Sequence, residues 1–317
     1  MTVLDRDARV YVAGHRGLVG SAVWRRLERE GFQDLVGHSS SELDLRDRDA
    51  TFAAFEADRP DVVVVAAAKV GGIKANDTYP VEFLTDNLRI QNNVMEAAHA
   101  VGVDRLLFLG SSCIYPKMAP QPIHEDSLLT GPLESTNEAY AIAKIAGITA
   151  VQSYRREYGR RWISAMPTNL YGPGDNYDLA TSHVLPALIR RFDEARENGV
   201  GSVTLWGTGS PRREFLHVDD LAVACLHLLE HYDDPRTINV GVGEDLPISE
   251  LAALVADVVG YEGETLWDAS MPDGTPRKLL DVSRLRALGW SPAIELRQGI
   301  ESTVESYRGR RAATGRG

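Results

Sequence analysis

The chain is 317 residues long, enough for two typical domains or one α/β enzyme with an appended lobe, and it can bury a sizeable core. Its 44% hydrophobic and 25% charged residues match globular proteins and exclude disordered, collagenous and whole-chain membrane classes. A net charge of -11, from 34 Lys and Arg against 45 Asp and Glu, argues against general affinity for nucleic acid or anionic lipid, so an anionic ligand must be met by locally placed cations.

The opening residues, MTVLDRDARVYVAG, hold no apolar core long enough for an export signal. Arg9 to Ala13 is a β-branched and aromatic run that breaks at Gly14, and Leu18 to Glu30 carries the spacing of an amphipathic helix ending before Gly31. The pattern then predicts a strand at Leu35 to Gly37, a helix at Asp47 to Ala57 and a buried strand at Val62 to Ala67. The longest apolar run, Val62 to Ala68, is too short to span a bilayer. Helical spacing from Pro80 to Val101, an apolar strand at Arg105 to Leu109, a long helix at Glu138 to Tyr158 and a strand at Trp162 to Pro167 follow. This alternation reads as a doubly wound parallel α/β sheet, Rossmann-like in its order. Beyond Asn169 the rhythm loosens into loops at YGPGDN, WGTGSPRREF and PDGTPRK, which join the smaller elements of a C-terminal substrate lobe. Arg308 to Gly317 reads as a frayed tail. Cys113 and Cys225 lie far apart without metal-ligand spacing, so neither a disulfide framework nor a metal site is indicated and a reducing cytoplasm is the default.

Gly14, Gly17 and Gly20 follow the first strand at G-x-x-G-x-x-G spacing and open a helix, where backbone N–H groups can hold a pyrophosphate. A glycine turn there also has purely structural uses; His15 and Arg16 inside the loop sharpen the cofactor reading. The second strand runs into His38, Ser39, Ser40 and Ser41 before any acid appears, whereas NAD sites usually place a carboxylate there for the ribose hydroxyls. The missing acid favours NADP, with Arg16 able to pair with the 2'-phosphate.

Tyr140 and Lys144 stand four residues apart and so share one helix face. Such a pair is common by chance, but Ser111 ends the strand LLFLGSS, and ligands of doubly wound sheets sit beyond the carboxyl ends of strands. Phenol, ammonium and hydroxyl can then converge on a carbonyl: hydride delivery leaves an alkoxide, Tyr140 protonates it and Ser111 hydrogen-bonds the oxygen. The Lys144 ammonium and a positive nicotinamide ring are expected to pull the Tyr140 phenol down toward ambient pH.

Through the glycine loop, the G-S-S strand end and Y-A-I-A-K, the chain resembles the extended short-chain dehydrogenase/reductase family over nearly its whole length. The strings AAAKVGGI, FLGSSCIYPK, PTNLYGP, TSHVLPAL, REFLHVDD and PDGTPRKLLDV look like the branch that acts on GDP-4-keto-6-deoxy-D-mannose. That resemblance implies a GDP-sugar substrate, epimerisation at C3 and C5, and NADPH-dependent reduction of the C4 ketone. Inversion takes a proton from one face and delivers another to the opposite face, which requires acid-base groups beyond the tyrosine. Cys113 and His183 stand at positions that carry those roles in the family; read without it, they are a small buried hydrophobe and a structural histidine.

The resemblance further implies NADP contacts from Gly14, His15, Arg16, Gly17, Leu18, Val19, Gly20, Ser40, Leu109, Gly110, Ser111, Ser112, Lys144 and His183, with Pro167, Thr168, Asn169 and Leu170 on the nicotinamide side. Arg191, Trp206 and Arg213 would meet the diphosphate and guanosine, their plainer readings being surface charges and a packed indole. Asp273 and Lys278 would fall in a loop closing over the sugar nucleotide. Where the family carries a second arginine near the end of the second strand, this chain has Ser39 and Ser40, so preference for NADPH rests on Arg16 and relaxed use of NADH is expected. The implied organisation is an NADP lobe of residues 1–177 with about 214–245, and a substrate lobe of about 178–213 with 246–317. A homodimer would pair the helices near Glu82 to Val101 and Glu138 to Tyr158 in a four-helix interface. Cys225 stays a core residue. Rival readings are a reductase that epimerises C5 alone or nothing, and a non-catalytic NADP sensor.

Overall fold

In the computed structural model, residues 3–179, 181–271 and 273–313 are described. The first half runs β1 (Val10–Ala13), α1 (Leu18–Arg29), β2 (Leu35–Val36), α2 (Arg48–Asp58), β3 (Val62–Val65), α3 (Ile73–Thr78), α4 (Pro80–Ala100), β4 (Arg105–Leu109), α5 (Glu138–Tyr158) and β5 (Arg161–Pro167). There follow β6 (Asn169–Tyr171), α6 (Val184–Glu197), β7 (Ser202–Trp206), β8 (Arg212–Arg213), β9 (Phe215–His217), α7 (Val218–His231), β10 (Ile238–Val240) and β11 (Leu246–Pro247). The chain closes with α8 (Ile248–Val259), β12 (Glu264–Asp268), β13 (Arg277–Lys278), α9 (Ser283–Ala287) and α10 (Leu296–Ala313).

Six strands form one parallel sheet in the order β10-β5-β4-β3-β1-β2. Side chains of a strand alternate between faces, and here both faces are covered, which is why these strands are apolar at successive positions. Val10, Val12, Val62 and Val64 pack with Ala22 and Leu27 of α1 and with Leu221 and Leu228 of α7. Tyr11, Ala13, Val63 and Val65 enter the opposite core with Phe55 of α2, Val94 of α4 and Ile148 of α5. Local signals close the helices: the Asp47 carboxylate accepts from Ala50 N at the start of α2, and Gly159, at φ 69°, takes the left-handed turn that ends α5.

A third core gathers Leu188 and Phe192 of α6, Leu251 and Val255 of α8, and Ile300 and Val304 of α10. Within residues 246–317, however, Leu280 and Val282 pack into one sheet-face core and Leu285 and Trp290 into the other. The loop readings at WGTGSPRREF and PDGTPRK need correction: they contain β8 and β13, two-residue strands of Arg and Lys that pair with each other across the chain, and the first residue of β9, a short buried strand that pairs with β6. The frayed-tail expectation also fails as far as residue 313. Arg308 to Ala313 are helical, and Arg308 donates to the fully buried Asp193 at 2.7 and 2.9 Å and to the Val259 carbonyl at 2.8 Å. Residues 314–317 of that reading lie outside the described residues.

Asn239 on β10 ties the sheet edge to the chain returning from the third core. Its amide donates to the carbonyls of Ile123 and Asp281 at 2.9 and 3.0 Å, while its oxygen accepts from the Tyr115 hydroxyl at 2.6 Å. Replacing it leaves buried groups unpaired. Asn239→Ala is expected to lower unfolding free energy by about 3 kcal/mol in urea denaturation, with the denaturant slope unchanged.

Candidate active site

Because β1 and β3 are neighbours while β2 lies on the outer side of β1, the strand order reverses at the carboxyl end of β1. The glycine loop sits at that switch point. Gly14 has φ 81°, and a Cβ there would stand 2.9 Å from Ala67; a Cβ on Gly20 would lie 2.1 Å from the Gly14 carbonyl. Gly17 N donates to Gly14 O at 2.9 Å, and α1 then starts at Leu18 without a side-chain cap. This tight turn leaves a shallow backbone cradle at a helix N-terminus, which fits a dinucleotide pyrophosphate. Leu18 and Val19 pack onto the sheet core beneath it. His15 turns inward, its ring 5.3 Å from that of Trp24 and its Cγ 2.7 Å from where a Gly37 Cβ would be.

Arg16 and Ser40 are exposed beside the end of β2. Glu42, which the sequence reading did not single out, reaches the same place: its carboxylate accepts from Ser39 N at 2.7 Å and Oγ at 2.6 Å and stands 4.0 Å from Arg16. The hydrogen bonds from Ser39 hold this carboxyl below its ordinary value. An acid therefore does occur near the second strand end, folded back onto the serine turn; nothing in the E-L-D-L string distinguishes it from a solvated helix-approach residue.

The second group is built on β4 and α5. Gly110 N donates to Ala165 O at 2.9 Å, fixing the strand end, and Ser112 is buried at the start of a short turn. Ser111 is extended, and its Oγ accepts from Cys113 N at 3.3 Å, which brings thiol and hydroxyl to one side. From α5, Tyr140 and Lys144 approach the same point. Lys144 is buried and its Nζ donates to Leu109 O at 2.8 Å, 5.9 Å from the Tyr140 ring centre. Burial pushes the Lys144 ammonium down to about 8. The expected depression of Tyr140 is not what this geometry produces: burial, then the charge of Cys113, raise the phenol above its ordinary value, with the Ser111 hydrogen bond opposing. The ammonium is directed at the strand carbonyl, so desolvation wins.

On the far side of the cleft, Thr168 N donates to Val240 O at 3.0 Å and Asn169 Nδ2 to Glu214 O at 2.8 Å, which holds Pro167 to Leu170 along the β5 and β6 junction. His183 precedes α6 and is carried by a loop whose Thr181 carbonyl accepts from Gly72 N at 2.9 Å. His183 has an exposed surface, and desolvation of its ring by the surrounding cleft, then the charge of Lys278, hold its imidazole below its ordinary value.

Of the residues expected to meet the GDP-sugar, Arg213 and Lys278 join this group. Lys278 Nζ stands 3.5 Å from Cys113 Sγ, and burial of the thiol, which raises it, is outweighed by Lys278, Ser111 and Arg213, so Cys113 lies below the usual thiol value. Asp273 is exposed and engaged elsewhere: its carboxylate accepts from Thr208 N at 2.7 Å and Oγ1 at 2.8 Å, clasping the loop after Trp206 to the loop before β13. Arg191 lies on α6 and Trp206, 58% exposed, ends β7; no hydrogen bond or ion pair joins either side chain to the Ser111 group among the described residues. Glu214 is a further residue the sequence did not reveal. It is fully buried and accepts from Gly243 N at 2.6 Å and Leu280 N at 3.1 Å, so one carboxylate fixes three loops below the cleft. Cys225 is buried in the core, where desolvation pushes its thiol up to about 12.

Because the Lys144 ammonium falls to about 8 from 10.5, the unfolded chain holds the extra proton between those values, and the contribution of Lys144 to stability rises with pH through that window. Relative to Lys144→Met, the wild-type protein is expected to gain on the order of 3 kcal/mol across this interval, read from guanidinium midpoints at stepped pH.

Comparison with known proteins gives matches over nearly the full length. A model of the NAD dependent epimerase/dehydratase family matches residues 10–241. GDP-L-fucose synthase 1 of Arabidopsis thaliana is 57% identical over 303 residues, covering 96% of this chain and 94% of the relative. GDP-L-fucose synthase of Escherichia coli strain K12 is 54% identical over 308 residues, with 94% and 96% covered. Among solved structures, a GDP-L-fucose synthetase from Naegleria fowleri bound to NADP superposes with a TM-score of 0.90 at 30% identity, covering 99% of this chain and 97% of that one.

Proposed function

The chain belongs to the NAD dependent epimerase/dehydratase family, and we propose that it converts GDP-4-keto-6-deoxy-D-mannose to GDP-L-fucose, inverting C3 and C5 and reducing C4. The cofactor is NADP, held at the glycine cradle with Arg16 and Ser40 toward the adenosine end and Pro167 to Leu170 toward the nicotinamide. When bound as NADPH it supplies the hydride that reduces C4. Identity above one half to two GDP-L-fucose synthases supports the substrate. The observation that carries the epimerase half is the Cys113 thiol beside Ser111 and 3.5 Å from the Lys278 ammonium. Reduction alone needs no such group.

In this reading the C4 ketone acidifies the hydrogens at C3 and C5. Cys113 Sγ takes a proton from one face, and the electron pair of the broken C–H bond moves to the C4 oxygen as an enolate. His183, neutral at pH 7, still carries one N–H and delivers it to the opposite face; exchange with solvent restores both groups. Ser111 holds the C4 oxygen throughout. Tyr140, whose raised phenol stays protonated at neutral pH, gives its proton to the alkoxide formed at C4, and Lys144 holds the far side of that proton path. Arg213 pairs with the diphosphate, while Arg191 and Trp206 face the guanosine; Asp273 acts by clasping the loops.

Incubation of the purified protein with GDP-4-keto-6-deoxy-D-mannose and NADPH is expected to consume the reduced nicotinamide and give GDP-L-fucose by NMR. A singly epimerised or unepimerised alcohol would retain the reductase and overturn the fucose assignment; no oxidation would favour a sensor. Cys113→Ser is expected to slow inversion about 100-fold or more.

The protein acts in the cytoplasm as a homodimer, with residues 1–177 and about 214–245 as its NADP lobe and about 178–213 with 246–317 as its substrate lobe, except that Leu280, Val282, Leu285 and Trp290 pack on the sheet of the NADP lobe. Free Cys113 and Cys225 suit a reducing compartment, and no helix among the described residues is long and apolar enough to cross a membrane. Val81 on α4, with Ile142 and Tyr158 on α5, leaves apolar side chains exposed on the two helices of the four-helix contact. Ile142→Glu is expected to yield monomers in sedimentation velocity with an unchanged far-UV spectrum.

A further inference from the structure

Lys278 belongs to a two-residue strand whose register decides what its side chain meets. β13 pairs in parallel with β8, placing Arg277 opposite Arg212 and Lys278 opposite Arg213. Adjacent strand residues point to opposite faces, so two rows of paired cations result. The outer row shares a carboxylate: Asp245 accepts from Arg212 Nε at 2.9 Å and from Arg277 Nε at 2.5 Å. The inner row has no carboxylate in ion-pair contact among the described residues. Arg213 Nη1 donates to the Arg212 carbonyl at 2.8 Å, and Lys278 Nζ to Cys113 Sγ at 3.5 Å.

The groups facing Cys113 are Ser111 from the turn after β4, Tyr140 from α5, Arg213 from β8 and Lys278 from β13. The first two are neutral hydroxyls and the last two are cations. Lys278 also disfavours the cationic form of His183. The positive partners available to a Cys113 thiolate are therefore the Lys278 ammonium, in contact with the sulfur, and the Arg213 guanidinium further off, not an imidazolium.

We propose that Lys278 is a positioning residue for epimerisation: its ammonium, in contact with Cys113 Sγ, keeps that sulfur in the thiolate form that removes the sugar proton. The ammonium gains and loses no proton in the step. The proton of the C–H bond goes to Sγ and the bonding pair to the ketone oxygen. This inference rests on the epimerase reading and adds to it the source of the base.

The first test needs no substrate. Iodoacetamide alkylation of Cys113, followed by peptide mass spectrometry from pH 5 to 10, reads the thiolate fraction, and the buried Cys225 serves as the internal control for unfolding. Removing a cation at this range is expected to move the Cys113 midpoint upward by about one pH unit or more, a roughly tenfold slower reaction at pH 7 in Lys278→Met. Lys278→Arg should restore the wild-type profile, and Lys278→Gln, which keeps a donor without charge, should follow Met. In D2O with GDP-4-keto-6-deoxy-D-mannose and no reductant, deuterium entry at C3 and C5 should slow about tenfold at pH 7 in Lys278→Met and recover as pH rises. Alkylation profiles that superimpose on wild type, with a raised KM as the sole effect, would make Lys278 a substrate contact only and overturn the proposal. Lys278→Gln retaining the wild-type midpoint would overturn it equally. A wild-type enzyme that admits no deuterium would remove the epimerase reading instead, while the substrate-free profiles still decide the lysine–cysteine pair.

Discussion

A parallel sheet buried on both faces leaves its chemistry one place to be. The helices over both faces close off the strand interiors, so loops can open only at the ends, and every strand of the six runs in the same direction. Gly14 after β1, Ser111 after β4 and Thr168 after β5 therefore gather at one edge although up to 154 positions separate them in sequence, 14 to 168. The edge also supplies the acceptor that fixes the Lys144 ammonium, the last carbonyl of β4. The site inherits its precision from the strands beneath it.

The second constraint is the cleft itself. Five groups there depart from their ordinary values, and the directions follow from two causes. Desolvation lowers Lys144, His183 and Arg213 and raises Tyr140. Against it, Lys278 of β13, the Ser111 hydrogen bond and Arg213 of β8 lower the half-buried Cys113 despite its desolvation. A chain of net charge -11 thus turns toward its cleft positive charge that has no carboxylate partner among the described residues, while the outer cations of the same strand pair share Asp245. Such a local field suits a diphosphate ligand and a thiolate alike. Its cost in stability is carried by anchors below the cleft, among them the Glu214 carboxylate and the Asn239 amide, which hold the returning chain against the sheet.

Much of this was readable in the chain. The helix from Glu138 to Tyr158 is found with the bounds read from sequence, because Gly159 gives an unambiguous stop and the apolar stripe is continuous. The strands at Val62 and Arg105 were equally clear, since double-sided burial writes itself as an unbroken apolar run. The glycine spacing and the Tyr140 and Lys144 pair lie within single turns, where sequence distance is spatial distance. Less was legible where partners are remote. β8 and β13 consist of arginines and a lysine, carry no apolar period and pair across some 65 positions, 212 to 277. Glu42 and Glu214 look like any surface acid until the turns that receive them are folded. The arginine-rich end read as frayed, yet it is helical through Ala313 because Asp193, buried on another helix, accepts its charge.

Periodicity and spacing alone determined the doubly wound order, the glycine turn and the Tyr140 and Lys144 pair, because each is encoded within one element or one turn, whereas Cys113 and His183 were singled out only by the family resemblance. Tertiary structure decided their electrical state. Whether Tyr140 is raised or lowered, whether His183 is cationic, and which cation stands by Cys113 depend on burial and on the register of two strands that meet only when the chain closes. Desolvation and Coulomb interaction are functions of distance in space, and no local pattern of residues carries that distance.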